Sequence, residues 1–363
     1  MLSHSADAFR LLPWPERRLT ILGWNGVQLF FVVSCLTLTM SWLSRAGRET
    51  WPVSRFLLRR VFRIAPMYWC GLLLYLALDP PGDAFNWPQL LATLTFLHGW
   101  SPGLLPTTPH GWSPVPGSWS VAAEFGFYLL FPLLVGLAGG LVRAVLGFIA
   151  ALLAALLLNA AAFAYFGPAY GPTATDQFVF YWLPNQMPVF MCGFACHVLL
   201  RRLRPGGAWA DAGAWIGTRA TAITVLAVLG FFGLGYLTLP RMPTLTLPFL
   251  PIHVLAAQWF SVAVVALGLA RQSIWINRPV ILLGQASFSA YILHFAVLEA
   301  LPSWFPTLFD LDAPGLSAMA RSMVLFAAVT AVTMAISLLT FRLIEQPLIR
   351  LGGRFALRIA PNG

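Results

Sequence analysis

The sequence predicts an all-α protein, a polytopic transmembrane helix bundle, and two observations carry that prediction. Hydrophobic residues make up 59% of the 363 and charged residues only 9%, far below the roughly 25% charged of a soluble domain. Uncharged apolar runs long enough to cross a bilayer recur from one end of the chain to the other, so lipid is the expected solvent and partner. No region reads as a separate soluble domain.

Taken in order, the apolar runs place nine spans at residues 22–43, 61–79, 118–137, 141–165, 178–200, 217–238, 250–270, 281–302 and 322–343. Residues 87–105 are also apolar, but Pro88, Gly99, Pro102 and the Trp- and Pro-rich run to Gly117 suit an interfacial or re-entrant element better. The net charge of +10 is carried by arginine alone. Arg45, Arg48, Arg55, Arg59, Arg60 and Arg63 share one connection, and Arg143, the Arg201–Arg219 group, Arg271 with Arg278, and the Arg342–Arg358 group fall on alternate ones. Short cytoplasmic loops retain positive charge, so these connections and the C-terminus are expected in the cytoplasm. Arginines that flank spans act as topology signals, and nucleic acid is not an expected partner.

The same count leaves residues 1–21 outside, with Arg10, Arg17 and Arg18 but no preceding span to export them. The expectation is a tenth span in the complete protein, with Met1-Leu2-Ser3-His4 as its last residues. Cys35, Cys70, Cys192 and Cys196 all lie in apolar segments, so neither a disulfide framework nor a metal site is expected.

Several polar groups stand where lipid makes them costly. Arg60 and Arg63 share a helix face leading into a span, as do Arg59 and Arg63; guanidinium forks suit phosphate oxygens, and equally suit a snorkelling anchor. Glu124 lies roughly 9 Å inside a span that starts at Ser118, where a carboxylate is cavity-facing, functional or structurally paired. His294 sits well inside its span, roughly 12 Å from the outer end, as a hydrogen-bonded core residue or a functional one. His98, His110, His197 and His253 are read as polar interface residues. His4, restored to the end of a span, offers a neutral imidazole able to accept a hydroxyl proton. Composition alone favours a transporter or flippase lined by these groups.

Taken together, the segments resemble the acyltransferase-3 family of polytopic O-acyltransferases. The resemblance rests on Gly26–Ser34, on Arg60, Arg63, Pro66 and Tyr68, on Trp119-Ser120 with Glu124 and Tyr128, on Gly284–His294, and on Phe341–Pro347, in order along nearly the whole chain. It implies a ten-helix fold whose first helix bears an arginine and, roughly 15 Å further along, an essential histidine, with His4 in the histidine's place and the arginine absent from this chain. Cys35 departs from the glycine usual after the motif serine. Residues 1–345 then form an integral-membrane acyltransferase domain and 346–363 a basic cytoplasmic tail. The implied donor is acyl-CoA, by default acetyl-CoA, with no tightly bound cofactor; the implied acceptor is a carbohydrate or lipid-linked glycan hydroxyl on a surface polysaccharide. His4 and Glu124 are the expected catalytic residues, Arg60, Arg63 and Tyr68 the expected acyl-CoA contacts, and Ser34, Trp119, Ser120 and His294 the expected substrate or structural support. Acyl transfer directly to the acceptor and transfer through a covalent acyl-enzyme both fit.

Overall fold

In lipid, backbone polar groups must find partners within the chain, and helices achieve this locally. The computed structural model describes the chain except residues 14–16, 18, 19, 21, 46, 106–111, 239–250, 272–273, 313 and 359–363. The described residues form helices and turns without a strand. In order these are α1 (Leu2–Asp7), α2 (Gly26–Arg45), α3 (Pro52–Leu78), α4 (Trp87–Leu94), α5 (Trp119–Leu134), α6 (Leu141–Tyr181) and α7 (Leu183–Leu203). There follow α8 (Ala210–Thr218), α9 (Ala220–Thr238), α10 (Ile252–Gly268), α11 (Arg278–Gln285), α12 (Ser287–Trp304) and α13 (Gly315–Thr340). A π-helical turn, Phe341–Glu345, then leads into α14 (Gln346–Arg358).

Five helical runs among the described residues are long and apolar enough to cross a membrane, or up to seven if each of two bent pairs is one span. The expected count of nine is not reached, and the differences have physical causes. Leu141–Leu203 is one 63-residue run that takes in two expected spans. Gly171, at φ 79° and followed by Pro172, breaks it, and Phe178 returns onto Phe166 with ring centroids 5.3 Å apart. The expected spans at 217–238 and 281–302 are each broken near one end, α8 meeting α9 at 78° and α11 meeting α12 at 71°. The 17 residues of α10 fall short of the roughly 20 of a full crossing.

Large side chains on the outside are apolar, as a lipid-facing surface requires: Leu133 is 80% and Leu157 72% exposed. The core lies among α2, α3, α5 and α7, where Phe190 stacks between Phe31 at 4.5 Å and Phe127 at 4.0 Å. Cys35, the departure from the family glycine, is accommodated by Gly193 on α7, where an added Cβ would stand 2.6 Å from the Cβ of Cys35. The segment after α4 dips into the bundle: Phe96, at φ 63°, stacks on Phe125 of α5 at 4.2 Å and packs on Tyr68 of α3 at 4.9 Å. Phe125 is roughly 9 Å along α5 from Trp119, which makes this segment re-entrant. Two contacts position α1 and α14. Ala6, Phe9 and Leu12 bury against Val297, Leu301 and Leu325 of α12 and α13, and Phe355 of α14 meets Phe62 of α3 at 5.8 Å.

Candidate active site

α3 and α5 run in opposite senses, and their polar residues form two groups separated by depth. At the end where α5 begins, a cavity of about 240 Å³ is lined by His4, His98, Ser118, Trp119, Tyr181 and Tyr291 among others. Three elements fix its floor. Tyr291 donates to the carbonyl of Gly117 at 2.6 Å and accepts from Ser120 Oγ at 2.7 Å. Gly117 has φ +74°, and an added Cβ there would stand 2.9 Å from Phe295, so the close approach needs glycine.

His4 reaches this cavity from α1. Its ring lies 4.6 Å from Phe295 and 5.5 Å from His294, centroid to centroid. The His294 Nδ1–H donates to the Tyr291 carbonyl at 2.7 Å, an assignment that leaves Nε2 as the acceptor nitrogen. Asp7, one turn after His4, accepts from the indole of Trp24 at 3.0 Å, which ties α1 to a residue lining the same cavity. His98 is 1% exposed and neither ring nitrogen has a hydrogen-bond partner. His4 and His98 both lie outside the candidate spans, and burial holds each well below the ordinary imidazole range, at about 4.

The second group lies deeper. Ser120, Glu124 and Tyr128 follow one another at four-residue spacing on one face of α5, each roughly 6 Å further in. Ser34 Oγ and the Tyr128 hydroxyl both donate to Glu124 Oε1 at 2.6 Å. Arg60 lies near enough to Glu124 for the carboxylate charge to act on it, and its Nε has no hydrogen-bond partner. The hydrogen bonds of Glu124 thus go to Ser34 and Tyr128 and not to His4.

The arginines beyond are partly committed. Arg59 makes two 2.9 Å hydrogen bonds to Glu49. Arg63 pairs with Glu345 Oε2 at 3.2 Å and donates to the Gln285 carbonyl at 3.4 Å, yet its side chain stays 27% exposed. Glu345 in turn accepts from the backbone N–H of Ser289 at 3.1 Å and from the Ser289 hydroxyl.

The structure thus joins His4, Trp119 and Tyr291 around one cavity, with Ser120 and His294 just behind, and joins Ser34, Glu124 and Arg60 below. It separates Tyr68 from the arginines, since eight residues of α3 put roughly 12 Å between it and Arg60. Tyr68 is fully buried with its hydroxyl unpartnered. The interface reading of the other histidines is corrected: His98, His197 and His253 are all buried, and His253 Nε2 lies 3.0 Å from the Asn185 carbonyl. His110 lies outside the described residues. Sequence reasoning gave His98 only an interface role and passed over Glu345 and the Asp7–Trp24 contact; for Glu345 alone a signal was at hand, a carboxylate within the Phe341–Pro347 motif.

A family model described as an acyltransferase domain matches residues 1–342. Over 293 residues the chain is 26% identical to acyltransferase MdmB of Streptomyces mycarofaciens, a match that covers 77% of this chain and 70% of that protein. No solved structure matches the chain.

Proposed function

The chain belongs to the acyltransferase-3 family and is a membrane acyltransferase; from that premise we propose that it moves an acyl group, by default acetyl, from acyl-CoA to a carbohydrate hydroxyl of a surface glycan. The observation that carries this reading is the two-level polar arrangement, with an imidazole-bearing cavity at one end and arginines toward the other. In this reading acyl-CoA docks from the cytoplasm, and Arg60 with the open edge of Arg63 receives its phosphates. The acyl thioester extends past Glu124 into the cavity. The acceptor sugar arrives from outside and rests its apolar ring face on Trp119 and Tyr181, whose rings lie 4.7 Å apart.

His4 then takes the proton of the acceptor hydroxyl as its oxygen bonds to the acyl carbon. The carbon–sulfur bond breaks, and the CoA thiolate leaves to be protonated. His294, beside His4, fixes the ring and its orientation. A neutral imidazole suits this transfer because it accepts a proton without first losing one.

A second route has its own support in the 2.6 Å contact between Ser34 and Glu124, a hydroxyl held against a carboxylate as in nucleophilic catalysis. On that route the Ser34 oxygen displaces CoA, its proton passes to Glu124, and the acyl-serine is the donor to the sugar.

The test is acetyl transfer from labelled acetyl-CoA into native membranes by the complete protein. His4→Ala should lower the rate about 10²–10⁴-fold at unchanged abundance in the membrane. Wild-type rates in that variant would remove His4 from the mechanism. A label retained covalently on the protein, and lost in Ser34→Ala, would select the serine route.

A further inference from the structure

His98 has no assigned part, and its surroundings give it one. It opens the short turn His98–Trp100 at the bottom of the re-entrant segment, lines the same 240 Å³ cavity as His4, and is 1% exposed. A buried polar group without a partner is costly and rare in a folded protein, and calls for an explanation. The backbone of Ala92 and of Ser118 lies near the ring, but neither meets hydrogen-bond geometry with it. Those carbonyls are already occupied: Leu97 N donates to Ala92 O at 2.7 Å, and Val121 N and Ala122 N to Ser118 O at 2.9 and 3.1 Å. The segment that carries His98 is held by contacts independent of the imidazole, since Phe96 stacks on Phe125 and Gln89 donates to the Trp112 carbonyl at 2.7 Å. The ring therefore stands at the cavity wall with neither nitrogen in a well-formed hydrogen bond.

We propose that His98 is a second catalytic imidazole, whose N–H donates to the acyl carbonyl oxygen when the acceptor attacks. The inference rests on the acyl-transfer reading above. As the hydroxyl oxygen bonds to the acyl carbon, the carbonyl π electrons move onto oxygen, and His4 takes the hydroxyl proton. The oxyanion then re-forms the carbonyl, and the carbon–sulfur electrons leave with CoA. A neutral imidazole supplies one donor to that oxyanion and brings no charge that would hold the CoA thiolate in place. A donor aimed beforehand at the developing charge, in a site closed to water, is among the largest single contributions to acyl-transfer rates.

The variants His98→Leu and His98→Gln, in the complete protein, test this with two readouts: labelled acetyl transfer from acetyl-CoA into native membranes, and the melting temperature of the purified protein. His98→Leu should lower kcat about a hundredfold while the acetyl-CoA KM stays within about threefold. Its melting temperature should hold or rise, because an unpartnered polar ring gives way to an apolar side chain of similar size. His98→Gln, which restores an N–H donor, should recover part of the lost rate. Wild-type turnover in His98→Leu would overturn the proposal, as would a rate loss accompanied by a fall in melting temperature, which would mark a structural hydrogen bond. A wild-type protein that transfers no acetyl group would instead defeat the acyl-transfer reading itself.

Discussion

What packs around His4 sets the pH range over which it can accept a proton. Phe295 and His294 pack against the ring, and Asp7 anchors its helix to Trp24. The same burial lowers its pKa to about 4, so the neutral, proton-accepting form persists well below the pH at which an open histidine gains its proton, near 6.5. The acid limb of kcat/KM against pH should therefore fall below about 5.5, since protonation there removes the acceptor nitrogen. A limb centred near 6.5 would mean that the base titrates as an exposed imidazole. At this scale the motif residues were legible but their grouping was only partly so. His4 and Trp119 come together, with Ser120 one residue on, because α1 and the start of α5 line one cavity at the same end of the bundle. Tyr68 and Arg60 share a sequence motif and yet lie on different levels, because a helix advances with every residue. His98 was hidden because its burial depends on Phe96 turning at positive φ to reach Phe125, a contact across 29 positions that no local pattern reports.

Among the elements, the broken helix pair α11 and α12 shows how a carboxylate orders a site from a distance. A helix that starts afresh at Ser287 leaves N–H groups without intrahelical partners. Glu345, brought inward by the π-helical turn, accepts from Ser289 in the first turn of α12, the helix that carries Tyr291 and His294 to the cavity. Arg63 neutralises Glu345 and also holds the last carbonyl of α11. Removing one member of so buried a group leaves the others unsatisfied. Glu345→Ala should thus destabilise the protein by about 3 kcal/mol, and Glu345→Gln by less, because the amide oxygen still accepts from Ser289. Thermal unfolding of the two purified variants checks the order; equal melting temperatures would show that the Ser289 contacts contribute nothing. The 71° bend was not legible. Gly284-Gln285-Ala286-Ser287 carries no charge and no proline to mark a break in the run from Arg278 to Trp304, and the feature that stabilises the break lies 56 residues further on.

The whole molecule divides its charge between its two ends, and the proposed orientation rests on that division. Arg45 and Arg48 at the α2–α3 junction, with Arg59 bound to Glu49 there, lie at one end. Arg143 at the start of α6, Arg201 and Arg202 at the end of α7, Arg219 between α8 and α9, and Arg342 after α13 stand at helix ends alternating with those that face the cavity. The cavity end has few arginines among its described residues, and Arg10 there is paired with Asp312 at 3.5 Å. Retention of arginine on the cytoplasmic side is the strongest orienting influence on short loops, whereas the cavity end must admit a sugar acceptor from outside if the proposed reaction is to modify a surface glycan. Both arguments require the same orientation. A reporter fused after Arg204 should therefore read cytoplasmic, and one fused at Asp83, between α3 and α4, should read external. The pair is informative because a single crossing error would reverse one reading and leave the other. If Asp83 read cytoplasmic, His4 and His98 would face the compartment that holds acyl-CoA, and the acceptor would have to be an intracellular molecule rather than a surface glycan.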